Sequence, residues 1–308
     1  MANSKISALP SATTPLAGTE VLPIVQSGTT KQVSVSNLLV VPPSAAFASL
    51  PTASTVTNQI YRATDISSDG SLWQSNGTRW NPVADVVCLF SNGIPFIFVP
   101  SGIITVTTGA LLLGTALDLT YPGAYCYYPA GAWTGSAAGW YWTTFSSTTV
   151  GLVYSDKYTS GVPTVPTSPT LVTTGAGAYT QTTGAYITGI NFVLPGNAMG
   201  INAGVQFQSV ETNNNSAGAK YLIANFGAIT GNAPFGSTTV IQSQAILNVK
   251  NSGSASTQSV SNIVNGTPAA IGLGTVNTAS NITLSYTHRI ATATDWVICQ
   301  NSTILLLA

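Results

Sequence analysis

An all-β chain is the fold class this sequence predicts, and three observations predict it. First, long runs in the C-terminal half alternate apolar and polar residues. Ile282, Leu284, Tyr286 and Ile290 interleave with Thr283, Ser285, Thr287 and Arg289, the period of a half-buried strand. Second, clusters of turn residues, such as Gly196–Asn197, Asn213–Ser216 and Asn251–Ser254, separate such runs. Third, no segment of useful length carries a helical period. The expected architecture is an extended N-terminal arm, small β modules and a C-terminal antiparallel jelly-roll-like sandwich.

The elements follow in order. Residues 1–40 read as an extended arm: Pro10, Pro15 and Pro23 break any helix, and short apolar runs such as Val21–Val25 are too few to build a core. Residues 41–85 read as a small β-hairpin module. Its strand Gln59–Ala63 precedes Leu72–Gln74 and Arg79–Val83, which flank Ser75-Asn76-Gly77-Thr78. Asn-Gly between strand ends is a hairpin signal, and Trp73 and Trp80 are expected to pack across it. Residues 86–160 form an aromatic-rich β domain, with strands at Val86–Phe90, Phe96–Val99 and Ile103–Val106. Residues 161–171 hold three prolines, Pro163, Pro166 and Pro169, and read as a stiff extended linker. Residues 172–308 form the sandwich. On its strands Tyr186, Ile190, Phe192 and Leu194 share one face, as do Ile241, Ala245, Leu247 and Val249.

Composition limits the function. Only 5% of the 308 residues are charged, 8 basic and 8 acidic, against roughly 25% in an average soluble domain. A surface so short of charge gives little repulsion between copies, and 44% hydrophobic residues leave apolar surface to bury against a partner. The basic residues are scattered singly and the net charge is zero, which argues against a nucleic-acid partner. No apolar stretch reaches the length of a membrane helix, so no membrane insertion is expected, and no apolar run follows the N-terminus as a secretory signal would require. Cys88, Cys126 and Cys299 lie far apart without a zinc-type spacing and are expected to be small buried hydrophobes.

Catalytic patterns are hard to find. No serine sits in a G-x-S-x-G elbow, and nucleotide-binding and H-E-x-x-H motifs are absent. His288, the single histidine, shares the parity of Ile282, Leu284, Tyr286 and Ile290, which puts it on an apolar strand face as a hydrogen-bonded core residue. Of the eight acids only Asp65 and Asp69 are neighbours, in a turn context, although a glycosidase could draw carboxylates from distant strands. No catalytic, cofactor-binding or metal-binding residue is therefore assigned, no cofactor is expected, and the chain reads as non-enzymatic. The densest aromatic patch, around Trp133, Trp140 and Trp142, has two readings: a packed core or interface, or a platform for glycan contact.

Three stretches carry a family resemblance. The arm, Lys5-Ile6-Ser7-Ala8-Leu9-Pro10 through Thr14-Pro15-Leu16 to Val21-Leu22-Pro23-Ile24-Val25-Gln26, resembles the N-terminal segment of tailed-bacteriophage fibre and other virion proteins. Leu72-Trp73-Gln74-Ser75-Asn76-Gly77-Thr78-Arg79-Trp80 is similar to a small β module of phage fibres, and Pro195-Gly196-Asn197-Ala198-Met199-Gly200 looks like part of a jelly-roll tip. The resemblance implies a homotrimeric structural protein of the virion, assembled in the host cytoplasm. It would be anchored to a tail adaptor, nozzle or capsid protein through Lys5, Ile6, Leu9, Pro10, Leu16, Val21, Leu22, Pro23, Ile24 and Val25. Its C-terminal domain would face outward for host-surface contact, as a tail fibre or spike. A head fibre or capsid-decoration protein is the alternative, and a polysaccharide-degrading spike the second.

Overall fold

A computed structural model describes residues 21–34, 41–67, 70–98, 102–105, 110–114, 116–117, 121–159, 163–179, 187–214, 216, 218–235 and 242–308. The chain is all-β and divides into two compact units, Met1–Pro43 and Ser44–Ala308. In the first unit β1 (Val21–Gln26) and β2 (Thr29–Ser34) pair as an antiparallel hairpin. Its two-residue turn, Ser27-Gly28, has φ of 53° and 74°, the positive values that match the turn to the strand twist.

In the second unit the small module is a four-stranded sheet of β3 (Ser44–Ala45), β4 (Ile60–Ala63), β5 (Ser71–Ser75) and β6 (Trp80–Pro82). The hairpin falls where Asn76-Gly77 predicts it: Asn76 Oδ1 accepts from the amides of Thr78 and Arg79, and Gly77 has φ +83°. Trp73 and Trp80 do not meet across it. Trp73 stands opposite Pro82, and Trp80 opposite Ser75. The fully buried Trp73 packs edge-on to Phe47, while Trp80 packs on Tyr61 and donates its indole N–H to Pro51 O.

The remaining strands begin with β7 (Val86–Asn92), β8 (Phe96–Phe98), β9 (Gly102–Thr105), β10 (Ala110–Leu113), β11 (Ala124–Tyr128), β12 (Gly139–Phe145) and β13 (Val150–Tyr158). Next come β14 (Ala176–Tyr179), β15 (Ile187–Leu194), β16 (Gly204–Asn213), β17 (Lys220–Phe226) and β18 (Ile229–Phe235). The last are β19 (Gln242–Asn251), β20 (Gln258–Val264), β21 (Thr267–Gly274), β22 (Ile282–Ile290) and β23 (Val297–Leu307). Thirteen of them form one sheet ordered β14-β9-β10-β13-β12-β11-β8-β23-β16-β19-β20-β21, with β7 branching from β23. A second sheet, β15-β22-β17-β18, faces its C-terminal part and completes the antiparallel sandwich. Tyr286 spans the gap: its hydroxyl donates to Gln208 O at 2.8 Å, and its ring meets Phe207 edge-on.

β23 joins what the sequence separates. It pairs with β16 on one side and with β7 and β8 on the other, so residues 86–160 and 172–308 share a ladder instead of forming two domains. Residues 163–171 are not a free spacer either. Thr164 O accepts from Tyr125 Oη, the amide of Thr170 donates to Asp156, and Leu171 bridges to Tyr154. Prolines keep this segment extended, and β11 and β13 supply its partners. The core of the small module is also continuous with that of the sandwich, Trp73 and Leu194 belonging to one cluster.

Alternation places the core as expected. Ile190 and Leu194 are buried with Phe192 partly so, Ala245, Leu247 and Val249 are buried, and so are Ile282, Leu284, Tyr286, His288 and Ile290. Tyr186 and Ile241 lie outside the described residues. The opposite face of the large sheet carries amides and hydroxyls in place of charges. Gln206 donates to Asn248, which donates to Ser261, so uncharged side chains satisfy one another there.

Candidate functional site

Those of the residues expected to anchor the chain that the structure describes belong to the N-terminal hairpin. Val21 and Leu22 begin β1 opposite Ser34 and Val33, both about half exposed, while Pro23, Ile24 and Val25 continue it opposite Gln32, Lys31 and Thr30. Proline fits here because each strand of a two-stranded ribbon is an edge. Lys5, Ile6, Leu9, Pro10 and Leu16 lie outside the described residues.

The aromatic patch is core. β11 and β12 pair Tyr125 with Trp142, Cys126 with Tyr141 and Tyr127 with Trp140, so alternation sends the rings to opposite faces. On one face Trp140 lies edge-on to Phe96 at 5.0 Å and to Tyr127 at 5.5 Å, and Trp142 edge-on to Tyr125 at 5.2 Å. The Trp140 indole donates to Thr188 O of β15, tying this sheet to the facing one. On the other face Trp133 packs edge-on to Tyr128 and Tyr141. Trp133, Trp140 and Trp142 are 4–5% exposed, so the glycan platform gives way to the core reading: no indole face is open to a sugar. Gly123 serves this packing, because a β-carbon there would fall 2.5 Å from the Trp142 ring.

One other expectation changes. Cys88 is exposed, while Cys126 and Cys299 are buried; burial pushes the Cys126 thiol up to about 12. Asp65 acts as a capping acid, in line with its turn context: its carboxylate accepts the Phe47 amide at 2.7 Å and holds the start of the small module. Asp69 lies outside the described residues.

The chemically unusual group is sealed in the sandwich. His288 projects inward from β22, as its parity predicts, but its expected hydrogen bond is missing. Among the described residues neither ring nitrogen has a hydrogen-bond partner. Nε2 faces Glu211 Oε2 at 3.9 Å, too far for a hydrogen bond. Gly189, the extra residue of a bulge in β15, lies beside the ring, where a β-carbon would stand 3.4 Å from Cε1 and Nδ1. Glu211 comes from β16, opposite Cys299 of β23, with Ser209 opposite Ser302 two pairs along the ladder. All five side chains are at most 3% exposed.

Burial sets the protonation here. Loss of water drives the Glu211 carboxyl well above its usual 4.5, a rise that the neighbouring Cys299 and Ser209 only partly offset. It lowers His288 to about 4 and raises the Cys299 thiol well above 9, helped by the adjacent Glu211. Without a partner ion, each group is driven to its neutral form. The sequence held a signal for Glu211 that went unread: Val205, Phe207, Ser209 and Glu211 alternate at core-facing positions of one strand. A second sealed polar group, Lys220 with Asp295, lies at the end of the same sandwich.

No protein-family model matches the chain, and no curated protein is significantly similar to it in sequence. Among solved structures, that of infectious bursal disease virus, Gx strain, aligns over 77% of this chain and 72% of that one, at 14% identity and a TM-score of 0.17. A superposition that loose does not extend to a shared role.

Proposed function

We propose that this chain is a non-enzymatic structural protein of a bacteriophage particle. It is a homotrimer held to other virion proteins by its N-terminal unit, with the all-β body carried outward for host-surface contact. The observation that supports this best is the division of the chain. Met1–Pro43 forms a unit whose described part is one hairpin, and a lone two-stranded hairpin is marginally stable without something to pack on. The arm that resembles phage attachment segments is this same unit. Trimerisation has its own support in the low charge and in an open cleft of about 610 Å³ beside β5 and β7. Exposed Leu72, Val83 and Val86 line that cleft, and a second copy would cover them. Glu211 and His288 are sealed from any polymer, which favours a structural role over a polysaccharide-degrading one.

Deletion of residues 1–37 tests the reading. The truncated chain should remain folded, scatter light as three times its own chain mass, and fail to enter particles in an assembly assay. A stable monomer at micromolar concentration overturns the trimer, and normal incorporation of the truncated chain overturns the anchor. The number of copies per purified particle separates a tail fibre, with few, from a head-decoration protein, with many.

A further inference from the structure

Three strands from two sheets bring Glu211, Cys299 and His288 together, and one ligand atom from each lies within 4.8 Å of the other two. Among the described residues, both Glu211 oxygens and both His288 nitrogens are buried without a partner at hydrogen-bond geometry, as are the hydroxyls of Ser209 and Ser302 beside them. Leaving a buried polar atom unpaired costs about 1–3 kcal/mol, and native folds leave few such atoms. Six such atoms around one point leave a place for a partner that the described residues do not supply.

We propose that Glu211, His288 and Cys299 bind one divalent transition-metal ion of the zinc class, which staples the two sheets of the sandwich. A thiolate, an imidazole and a carboxylate make a borderline-soft donor set, suited to zinc and poorly suited to calcium or magnesium. Zinc bonds of about 2.0–2.3 Å in a tetrahedron set ligand atoms about 3.2–3.8 Å apart. The 3.9 Å between Glu211 Oε2 and His288 Nε2 is already near that spacing. The charges close as well. The carboxyl and the thiol each release a proton as the dication enters, so two anions and one dication leave the core neutral. The fourth position falls to a Ser209 or Ser302 hydroxyl or to a water. Full burial makes the ion structural and loads it as the chain folds, since neither substrate nor free chelator reaches it afterwards.

Cobalt is the probe, because a thiolate ligand gives it a near-ultraviolet charge-transfer band. The untagged full chain is produced in cobalt-supplemented medium, washed with chelator, and its metal content and spectrum are measured. The wild-type chain should retain about one ion per chain with that band. Cys299→Ser should lose the band, His288→Gln should retain less than about a tenth as much metal, and Cys88→Ser should behave as wild type. A folded wild-type chain that holds no ion overturns the proposal. So does a Cys299→Ser chain with the same metal content and the same band. A variant that fails to fold leaves the decision to the wild-type measurement.

Discussion

Two polar groups are sealed in the same sandwich, and the protein treats them oppositely. Lys220 and Asp295, 2% and 0% exposed, meet at 3.5 Å, and both side chains also take hydrogen bonds from the chain. Asp295 Oδ1 accepts from Asn214 at 3.0 Å and Ser216 at 2.5 Å, and Lys220 donates to Ser216 Oγ and Gly218 O. Asn214, Ser216 and Gly218 provide those partners, and Gly218 permits the close approach, since a β-carbon there would sit 2.1 Å from Asp295. Glu211 and His288 are as deeply buried, 3.9 Å apart, yet among the described residues neither finds a partner at good hydrogen-bond geometry. A buried charge is tolerable when hydrogen bonds replace the lost water, and otherwise the group goes neutral or takes a partner from outside. The first site is a clasp that the polypeptide braces with hydrogen bonds of its own. The second is finished only by something the polypeptide must acquire.

Breaking the clasp gives the largest expected effect. Asp295→Ala strands a buried lysine together with Asn214 and Ser216, and should cost about 3–5 kcal/mol, read as a lower urea midpoint at unchanged slope. A loss below about 1 kcal/mol would mean that the pair is no more than a surface-type contact, and the contrast between the sites would dissolve.

Next comes pH, measured on metal-stripped chain, that is, chain unfolded with chelator and refolded without metal. His288 has its value lowered from 6.5 to about 4, so the unfolded chain takes up a proton first as pH falls. Its stabilising contribution is complete above 6.5 and disappears as pH drops through about 4, by at most about 3 kcal/mol. Glu211 has the opposite sign: raised above 4.5, it contributes fully below 4.5 and loses that contribution as pH climbs toward its folded value. Stability should therefore slope downward above pH 6.5, where only Glu211 of the two still acts. Cys299 and Tyr286, the other titratable groups facing them, are both driven upward by burial and stay neutral in this range. His288→Gln should remove the acid-side loss and keep the alkaline one. Parallel curves for both proteins would place the acid sensitivity elsewhere.

The smallest effect should come from Glu211→Met in metal-stripped chain. An apolar side chain of similar length replaces a carboxyl that holds no hydrogen bond, so the change should stay within about 1 kcal/mol of zero or be stabilising. With metal bound, the same substitution should remove whatever stability the ion adds. A large loss without metal would show that the carboxyl has a partner within the chain.

Much of this fold could be read directly. The period-2 runs determine which faces turn inward, so His288 was legible as a buried residue of an apolar strand face, and Asn76-Gly77 as a hairpin turn. These are local properties, written in neighbouring residues. Trp133, Trp140 and Trp142 were legible as a dense patch, but which way each ring turned depended on the pairing of β11 with β12 and on the sheet that covers them. The near absence of charge and the apolar surplus are also facts of composition alone. What no local pattern could give is which strands become neighbours. β23 lies between strands from the two ends of the body, and that ladder merges residues 86–160 with 172–308. The same ladder sets Glu211 beside Cys299, and the facing sheet brings His288 over both. Alternation decides the face on which a side chain lies. Partnership across a sheet or between sheets is decided by long-range pairing, whose energy depends on the whole core, and only the folded chain shows the result.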